Sequence, residues 1–310
     1  MDSQAVVMEG PGRLGVACLP LTDPVGSDIV VDVAWSGIST GTERLLHTGT
    51  MPAFPGMGYP LVPGYESVGR VVDAGSGSGR RLGETVFVPG ARCFGPVRGL
   101  FGGSASRLVV PGARVIPIDA EAAQDGVLLA LAATAYHAIA DGPRQPDLIV
   151  GHGVLGRLLA RIAVLNGAEP TVWERNPERA LGAEGYQVTH ADEDPRRDYN
   201  TVYDVSGDPR ILDALVLRLA PGGEIVLAGF YAEPLSFAFA PAFMREPRIR
   251  VAAQWRETDL AAVRGLVESG RLSLAGLVTH ESAAAEAPVA YRTAFDDPAC
   301  LKMVLDWSRA

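Results

Sequence analysis

The stretch Asp147–Ile162, DLIVGHGVLGRLLARI, constrains the fold of this chain more than any other. A short apolar run stops at Gly151, and the pattern Gly151-His152-Gly153-Val154-Leu155-Gly156 follows. Apolar residues then recur at Leu155, Leu158, Leu159, Ile162 and Ala163. The first segment reads as a buried strand; the second has the period of a helix with one buried face. Glycines at the join allow a sharp reversal and leave the N–H groups at the helix start uncovered by side chains. Such a terminus offers unpaired donors and partial positive charge, which suits a phosphate. Gly167 is placed to end the helix.

The chain beyond it keeps alternating. PTVWE, TVYDVSG and GGEIVLAGF read as strands, and PRILDALVLRLAPGG reads as a helix between the last two. Strands that alternate with helices imply a parallel, doubly wound sheet of the Rossmann type. Glu174 closes PTVWE at about the 20-residue offset expected of the acid that receives a ribose diol. Gly151, Gly153, Val154, Leu155, Gly156, Glu174 and Arg175 are therefore the predicted dinucleotide-binding residues. A carboxylate at Glu174 accepts from the diol and repels a 2′-phosphate, which favours NAD over NADP. Arg175 offers a phosphate a cation, so the preference rests on the acid. His152 is expected to face the pyrophosphate or solvent.

Upstream, DIVVDVAWSG, SVGRVVDAG, ETVFVPG and SRLVVPGARVIPI are short strand-like runs punctuated by glycine and proline, the pattern of a small all-β barrel. From about Ala120, EAAQDGVLLALAATAYHAIADG is helical in spacing. After Phe237, RIRVAAQW, DLAAVRGLVESGRL and PACLKMVLDW read as a separate return segment. The expected organisation is a barrel domain from residues 1–119 and 253–310 with a Rossmann domain inserted at 120–252. A length of 310 residues accommodates both, and 47% hydrophobic against 20% charged residues supports packed cores. The net charge of −9 argues against binding a nucleic-acid backbone. Cys18, Cys93 and Cys300 are too few and too scattered for a disulfide framework or a cysteine zinc site. With no secretory signal and no apolar run of about 20 residues, a reducing cytoplasm is the expected compartment.

The order of these elements resembles the medium-chain dehydrogenase/reductase superfamily. VPGYESVGRVVDAG, GETVFVPG, LALAATAYHAIA, GHGVLG, YDVSGDPRILDALVLRLAPGGEIVLAGF and CLKMVLDW carry the resemblance along nearly the whole chain. It implies a GroES-like barrel that holds the reacting group and a Rossmann domain that holds the cofactor. Zinc-dependent members place cysteine and histidine ligands where this chain has Ser39 and Thr40, Tyr65, and Ala130. Alanine coordinates nothing, and neutral hydroxyls suit zinc poorly, so no metal is expected. SGISTGTE followed by PGMGYPLVPGYESVGRVV resembles a zinc-lacking branch of the superfamily. Members of that branch use NAD to oxidise the 1-hydroxyethyl side chain of a bacteriochlorophyllide-type pigment to an acetyl group.

Oxidising an alcohol without a Lewis acid requires a side chain to take the hydroxyl proton. By resemblance Thr42 is the relay hydroxyl, with a turn-capping threonine as the alternative. Tyr65, in the place of a metal ligand, is donor or base, or fills the vacated space. Glu66 is structural, held by a neighbouring arginine, or a base. His47 suits proton exchange with solvent, although a surface histidine reads the same way. Met51, Phe54, Met57 and Tyr59, with Phe94 and Phe230, offer an apolar wall for a flat macrocycle. Arg92, Arg98 and Arg256 are candidate anchors for a propionate. The resemblance also implies a homodimer built on an edge strand, here GGEIVLAGF, and the apolarity of such a pigment implies transient contact with a photosynthetic membrane. Two alternatives stay open: an NADPH-dependent quinone or enone reductase, and a pigment carrier without catalysis.

Overall fold

The computed structural model describes residues 1–120 and 124–309. It divides into two compact units, Met1–Ala130 with Ala275–Ala310, and Leu131–Leu274.

The first unit is organised on the strand Asp28–Ile38, whose burial on both faces reflects its run of β-branched residues. Residues 29–36 of it pair antiparallel with Ser67–Ala74, with bulges at Val30/Val31 and Val33/Trp35 that bend it. On its other side, residues 28–32 pair with Arg107–Pro111 and residues 35–38 with Met303–Asp306. One long strand thus collects the chain's last strand beside the N-terminal sheet. Thr85–Val88, Ile116–Pro117 and His280–Ala283 complete this sheet. A second sheet runs in the order Arg13–Pro20, Asp2–Gly10, Leu61–Val62, Arg98–Gly99. A common apolar core includes Val6, Met8, Ile29, Val31, Leu108 and Met303.

The second unit is a six-stranded, wholly parallel sheet. Leu148–Val150, Thr171–Trp173, Gln187–Thr189, Tyr199–Asp204, Leu219–Leu227 and Arg248–Val251 follow one another in sequence and lie in the spatial order 3-2-1-4-5-6. That order is the doubly wound dinucleotide-binding arrangement, whose switch point lies beside the first strand. The helix Val154–Leu165 buries Leu158, Leu159, Ile162 and Ala163, the face its period predicts. It ends where expected: Gly167 adopts φ +84° and its N–H reaches the Val164 carbonyl at 2.9 Å.

Three expectations are corrected. Arg248–Val251, within RIRVAAQW, does not begin the return to the barrel; it pairs with Leu219–Leu227 as the sixth parallel strand. Its alternating arginines suit an edge strand, which a reading by separate segments missed. The helix Glu257–Glu268 also belongs to the second unit, tied by His137 Nδ1 to Asp259 at 2.8 Å. The return therefore falls at Ala275 rather than at 253. Consequently GGEIVLAGF is an interior strand, and the edge on its side of the sheet is Arg248–Val251. The helix expected from Ala120 appears as a 3-10 turn Asp125–Leu128 running into Leu129–Ala140; Glu121, Ala122 and Ala123 lie outside the described residues.

Two glycines separate conformational cost from steric cost. A Cβ at Gly167 meets nothing within 4 Å, whereas one at Gly156 would lie 1.8 Å from the Gly151 carbonyl oxygen. Gly167→Ala is expected to lose about 1 kcal/mol, the left-handed penalty alone. Gly156→Ala is expected to lose about 2 kcal/mol or more through overpacking against backbone. Equal losses for the two variants in chemical denaturation would contradict this assignment.

Candidate functional site

The glycine turn begins where the strand Leu148–Val150 ends. Gly151 takes φ +105°, which an L side chain resists, and Gly156 packs directly on its carbonyl. Gly153 is the N-cap of the helix, and no side chain caps the first turn. A Cβ at Gly153 would meet nothing, so the approach to the helix's N–H groups is open. Glu174 Oε2 accepts from the His152 N–H at 3.1 Å and Oε1 from the Asn176 N–H at 2.8 Å. An ionised carboxylate has about four acceptor sites, so two remain for a ribose diol. These residues fit a dinucleotide: an uncovered helix start for its phosphates and an anchored acid for its ribose. Val154 is buried and Leu155 half-buried, so they offer backbone rather than side chains, and Arg175 is exposed. His152 departs from expectation, since its side chain is wholly buried and turned away from solvent.

Sequence reasoning also missed Asp204, at the end of the neighbouring strand. It is buried, accepts from the Tyr231 hydroxyl at 2.6 Å and from the Ser206 N–H at 2.9 Å, and burial pushes its carboxyl up.

The first unit gathers a second polar cluster. Tyr65, at the end of the loop that enters Ser67–Ala74, lies 2.6 Å from the Ser39 hydroxyl, and the Thr42 hydroxyl stands beside the same phenol. Thr42 opens the helix Thr42–Thr48, whose first turn also carries Glu43. Glu43 is 1% exposed; it accepts from the Ser39 N–H at 3.0 Å and from the buried Tyr291 hydroxyl. Desolvation pushes its carboxyl up to about 7, against the pull of those two hydrogen bonds. The Tyr65 phenol is held well above its ordinary value, first by burial and then by the Glu66 charge. The Tyr65 phenol therefore keeps its proton at neutral pH.

Glu66 is 0% exposed, and Lys302 Nζ lies 2.6 Å from its Oε2 and 3.1 Å from the Ile38 carbonyl oxygen. The cation that holds Glu66 is thus a lysine brought by the chain's end, not the neighbouring arginine expected. Lys302 is the sole lysine of the chain, and it is 2% exposed. Gly37 makes room for the pair, since a Cβ there would lie 2.4 Å from Glu66 Oε2. His47 is not drawn into this cluster. Its ring tilts against Phe295 with centroids 5.7 Å apart, and its buried Nδ1 has no hydrogen-bond partner among the described residues.

Comparison with known proteins now bears on this geometry. Residues 26–120 match the family model described as the alcohol dehydrogenase GroES-like domain. The chain is 58% identical over its full length to the full length of a Rhodobacter capsulatus protein named 2-desacetyl-2-hydroxyethyl bacteriochlorophyllide A dehydrogenase. A Cereibacter sphaeroides protein of the same name is 57% identical, with 99% of each chain covered. The chain belongs to this family of medium-chain dehydrogenases. Its fold is shared by an Escherichia coli CFT073 alcohol dehydrogenase solved with NADH, at a TM-score of 0.83, 22% identity and 99% coverage of each chain. The chain is accordingly a dehydrogenase.

Zinc, which the wider family often carries, does not fit the corresponding residues of this dehydrogenase. Ser39 and Tyr65 hydrogen-bond each other, Thr40 offers a neutral hydroxyl, and Ala130 offers nothing. Among the described residues the three cysteines form no disulfide; Cys18 is exposed, and Cys93 and Cys300 are buried. The predicted apolar wall is only partly a wall. Met51 and Phe94 are buried in the core; Phe54, Met57 and Tyr59 pack against it half-buried. Phe230 is half exposed and belongs to the other unit. Arg256 is paired with Asp141 at 3.1 Å, while Arg92 and Arg98 are exposed. A cavity of about 720 Å³ on the first unit, lined by Asp32, Arg70, Arg107 and Trp307, contains none of the predicted site residues.

The Lys302–Glu66 pair yields a stability prediction. Lys302→Met leaves a carboxylate buried and uncompensated, and should cost about 3–5 kcal/mol. Adding Glu66→Gln removes that charge and should recover most of the loss. Urea denaturation of the single and double variants measures both values, and additive losses would contradict a coupled pair.

Proposed function

We propose that the chain catalyses NAD-dependent oxidation of the 1-hydroxyethyl group of a bacteriochlorophyllide to an acetyl group, with organic groups alone handling the proton. The carrying observation is the Tyr65–Ser39 hydroxyl pair, with the Glu43 carboxylate held by the Ser39 backbone N–H, in the region where zinc-dependent relatives bind metal. The relatives' printed name supplies the substrate. Glu174 favours NAD, because its carboxylate repels a 2′-phosphate.

In this reading the alcohol hydroxyl hydrogen-bonds the Tyr65 phenol, with Thr42 orienting it. The bound nicotinamide supplies the acceptor for the hydride that leaves carbon. As the carbonyl forms, the hydroxyl proton passes to Tyr65 while the phenol's own proton moves to the Ser39 hydroxyl, which gives up its own; the final acceptor in this proposal is the Glu43 carboxylate, four residues along, which the Ser39 backbone N–H holds in place. Tyr65 ends as it began, protonated, and Glu43 holds the proton for release to solvent. A base with a value near 7 is matched to that work at neutral pH. Glu66 and Lys302 act behind this cluster by fixing its charge. His47 contributes no proton step, consistent with its packing on Phe295.

The conjugated chlorin stabilises positive character at the reacting carbon, so a full alkoxide is not required. Incubation with NAD and a hydroxyethyl bacteriochlorophyllide should shift the pigment's absorption as NADH accumulates in equal amount. Strong preference for NADP would favour the reductase reading, and binding of both molecules without turnover would favour a carrier. A homodimer is part of the same proposal. Its edge is Arg248–Val251, where exposed Ile249 and Val251 adjoin unpaired strand backbone.

The pH dependence follows from Glu43. Oxidation needs its carboxylate, so kcat/KM should rise with pH through about 7 and level off above it. Glu43→Gln should remove that limb and lower kcat by about a hundredfold or more. Stability moves the other way. The folded protein holds this proton up to about pH 7 and the unfolded chain only to about 4.5, so the Glu43 contribution falls as pH rises between those values. An unchanged limb in Glu43→Gln would exclude this residue as the acceptor.

A further inference from the structure

The second residue of the glycine turn does something its position does not require. His152 is 0% exposed, and both ring nitrogens are engaged: Nδ1 with the Arg179 carbonyl oxygen at 2.6 Å and Nε2 with the Tyr186 hydroxyl at 2.8 Å. A carbonyl only accepts, so Nδ1 carries the hydrogen and Nε2 receives the Tyr186 O–H, which fixes a neutral tautomer. The Tyr186 ring meets the imidazole edge-on, with centroids 5.5 Å apart. Burial pushes His152 down to about 4, with the nearby Arg157 acting in the same direction.

Arg157, one turn into the helix and 5% exposed, adds a second tie. Its Nε donates to the His152 carbonyl at 3.1 Å, and its Nη2 to the carbonyls of Arg179 and Leu181 at 2.9 and 2.8 Å. Two buried side chains from the turn and its helix therefore clamp the segment 176–186, which follows the ribose-binding acid. Glu174 lies between the clamped parts: one oxygen accepts from the turn at His152 N–H, the other from the clamped segment at Asn176 N–H.

We propose that His152, with Arg157, is a positioning residue for the adenosine half of the cofactor: it locks the glycine turn to the segment 176–186 and so presets the Glu174 carboxylate for the ribose diol. The proposal rests on the dinucleotide reading above. It concerns binding through the adenosine end, and the proton chemistry lies in other residues. Pre-ordering these groups removes an ordering cost that binding would otherwise carry.

The test uses the full-length chain, with ADP-ribose and NAD as probes, by calorimetry and by steady-state kinetics. His152→Ala should weaken ADP-ribose and raise KM for NAD by about tenfold, as expected for the loss of two buried hydrogen bonds that tie the turn to the segment 176–186, with kcat at saturating NAD unchanged. His152→Asn keeps a donor near Nδ1 and should restore most of the affinity. Tyr186→Phe loses only the second bond and should weaken ADP-ribose about threefold. If His152→Ala does not fold, Tyr186→Phe and His152→Asn carry the test. Unchanged ADP-ribose affinity in the folded variants, or a fall in kcat with KM for NAD unaltered, would overturn the proposal while leaving the dehydrogenase reading intact. Failure of the unaltered protein to bind either probe would overturn both.

Discussion

Two charges that rarely survive inside a protein are held together beneath the hydroxyl cluster. Lys302 immediately precedes the strand Met303–Asp306 and Glu66 immediately precedes Ser67–Ala74, and their 2.6 Å contact ties the starts of the two strands together beside Tyr65. Either ion alone would be strongly disfavoured in this interior; together they repay part of their lost hydration. Their pairing explains several local features at once. Gly37 must lack a side chain, and the Ile38 carbonyl must turn inward to receive Nζ. Tyr65 keeps its proton in part because the Glu66 charge sits behind it. A compact ammonium suits this place better than a planar guanidinium, which helps explain why a chain with 26 arginines has its one lysine here.

Around that pair the polar groups divide their work by environment. Burial pushes the Glu66 carboxyl up as well, but the Lys302 ammonium beside it pulls the other way. Glu43 has only an N–H and a phenol, so burial raises it into the neutral range and makes proton exchange accessible. Two carboxylates on neighbouring elements thus acquire different tasks from their partners. In the other unit the same economy of side chains appears at the glycine turn, where backbone N–H groups are left for a ligand and side chains brace the turn from beneath.

Much of the fold was legible because periodicity is local. The strand, glycine turn and helix at 147–165 form where the pattern predicts, and Glu174 lies at the turn as its offset requires. The short edge strand Arg248–Val251 was not, because four residues of alternating charge carry little signal until their neighbour is known. The site was less legible than the fold. Tyr65 and Thr42 could be placed by resemblance, and they do meet. Glu43, Tyr291 and Lys302 are brought together from opposite ends of the chain, 248 residues apart for Tyr291 and Glu43. A lone lysine in CLKMVLDW was the available signal, since a charge inside an apolar run implies a buried partner. His152 gave none, because only the fold reveals which way a turn residue points.

The central claim is that the alcohol is oxidised with no metal at the proton-handling site. The direct measurement is turnover of a hydroxyethyl bacteriochlorophyllide with NAD after exhaustive chelation, with elemental analysis of the same sample. The account predicts undiminished turnover and no transition metal near one equivalent per chain. Loss of turnover that returns on adding one equivalent of zinc would contradict it.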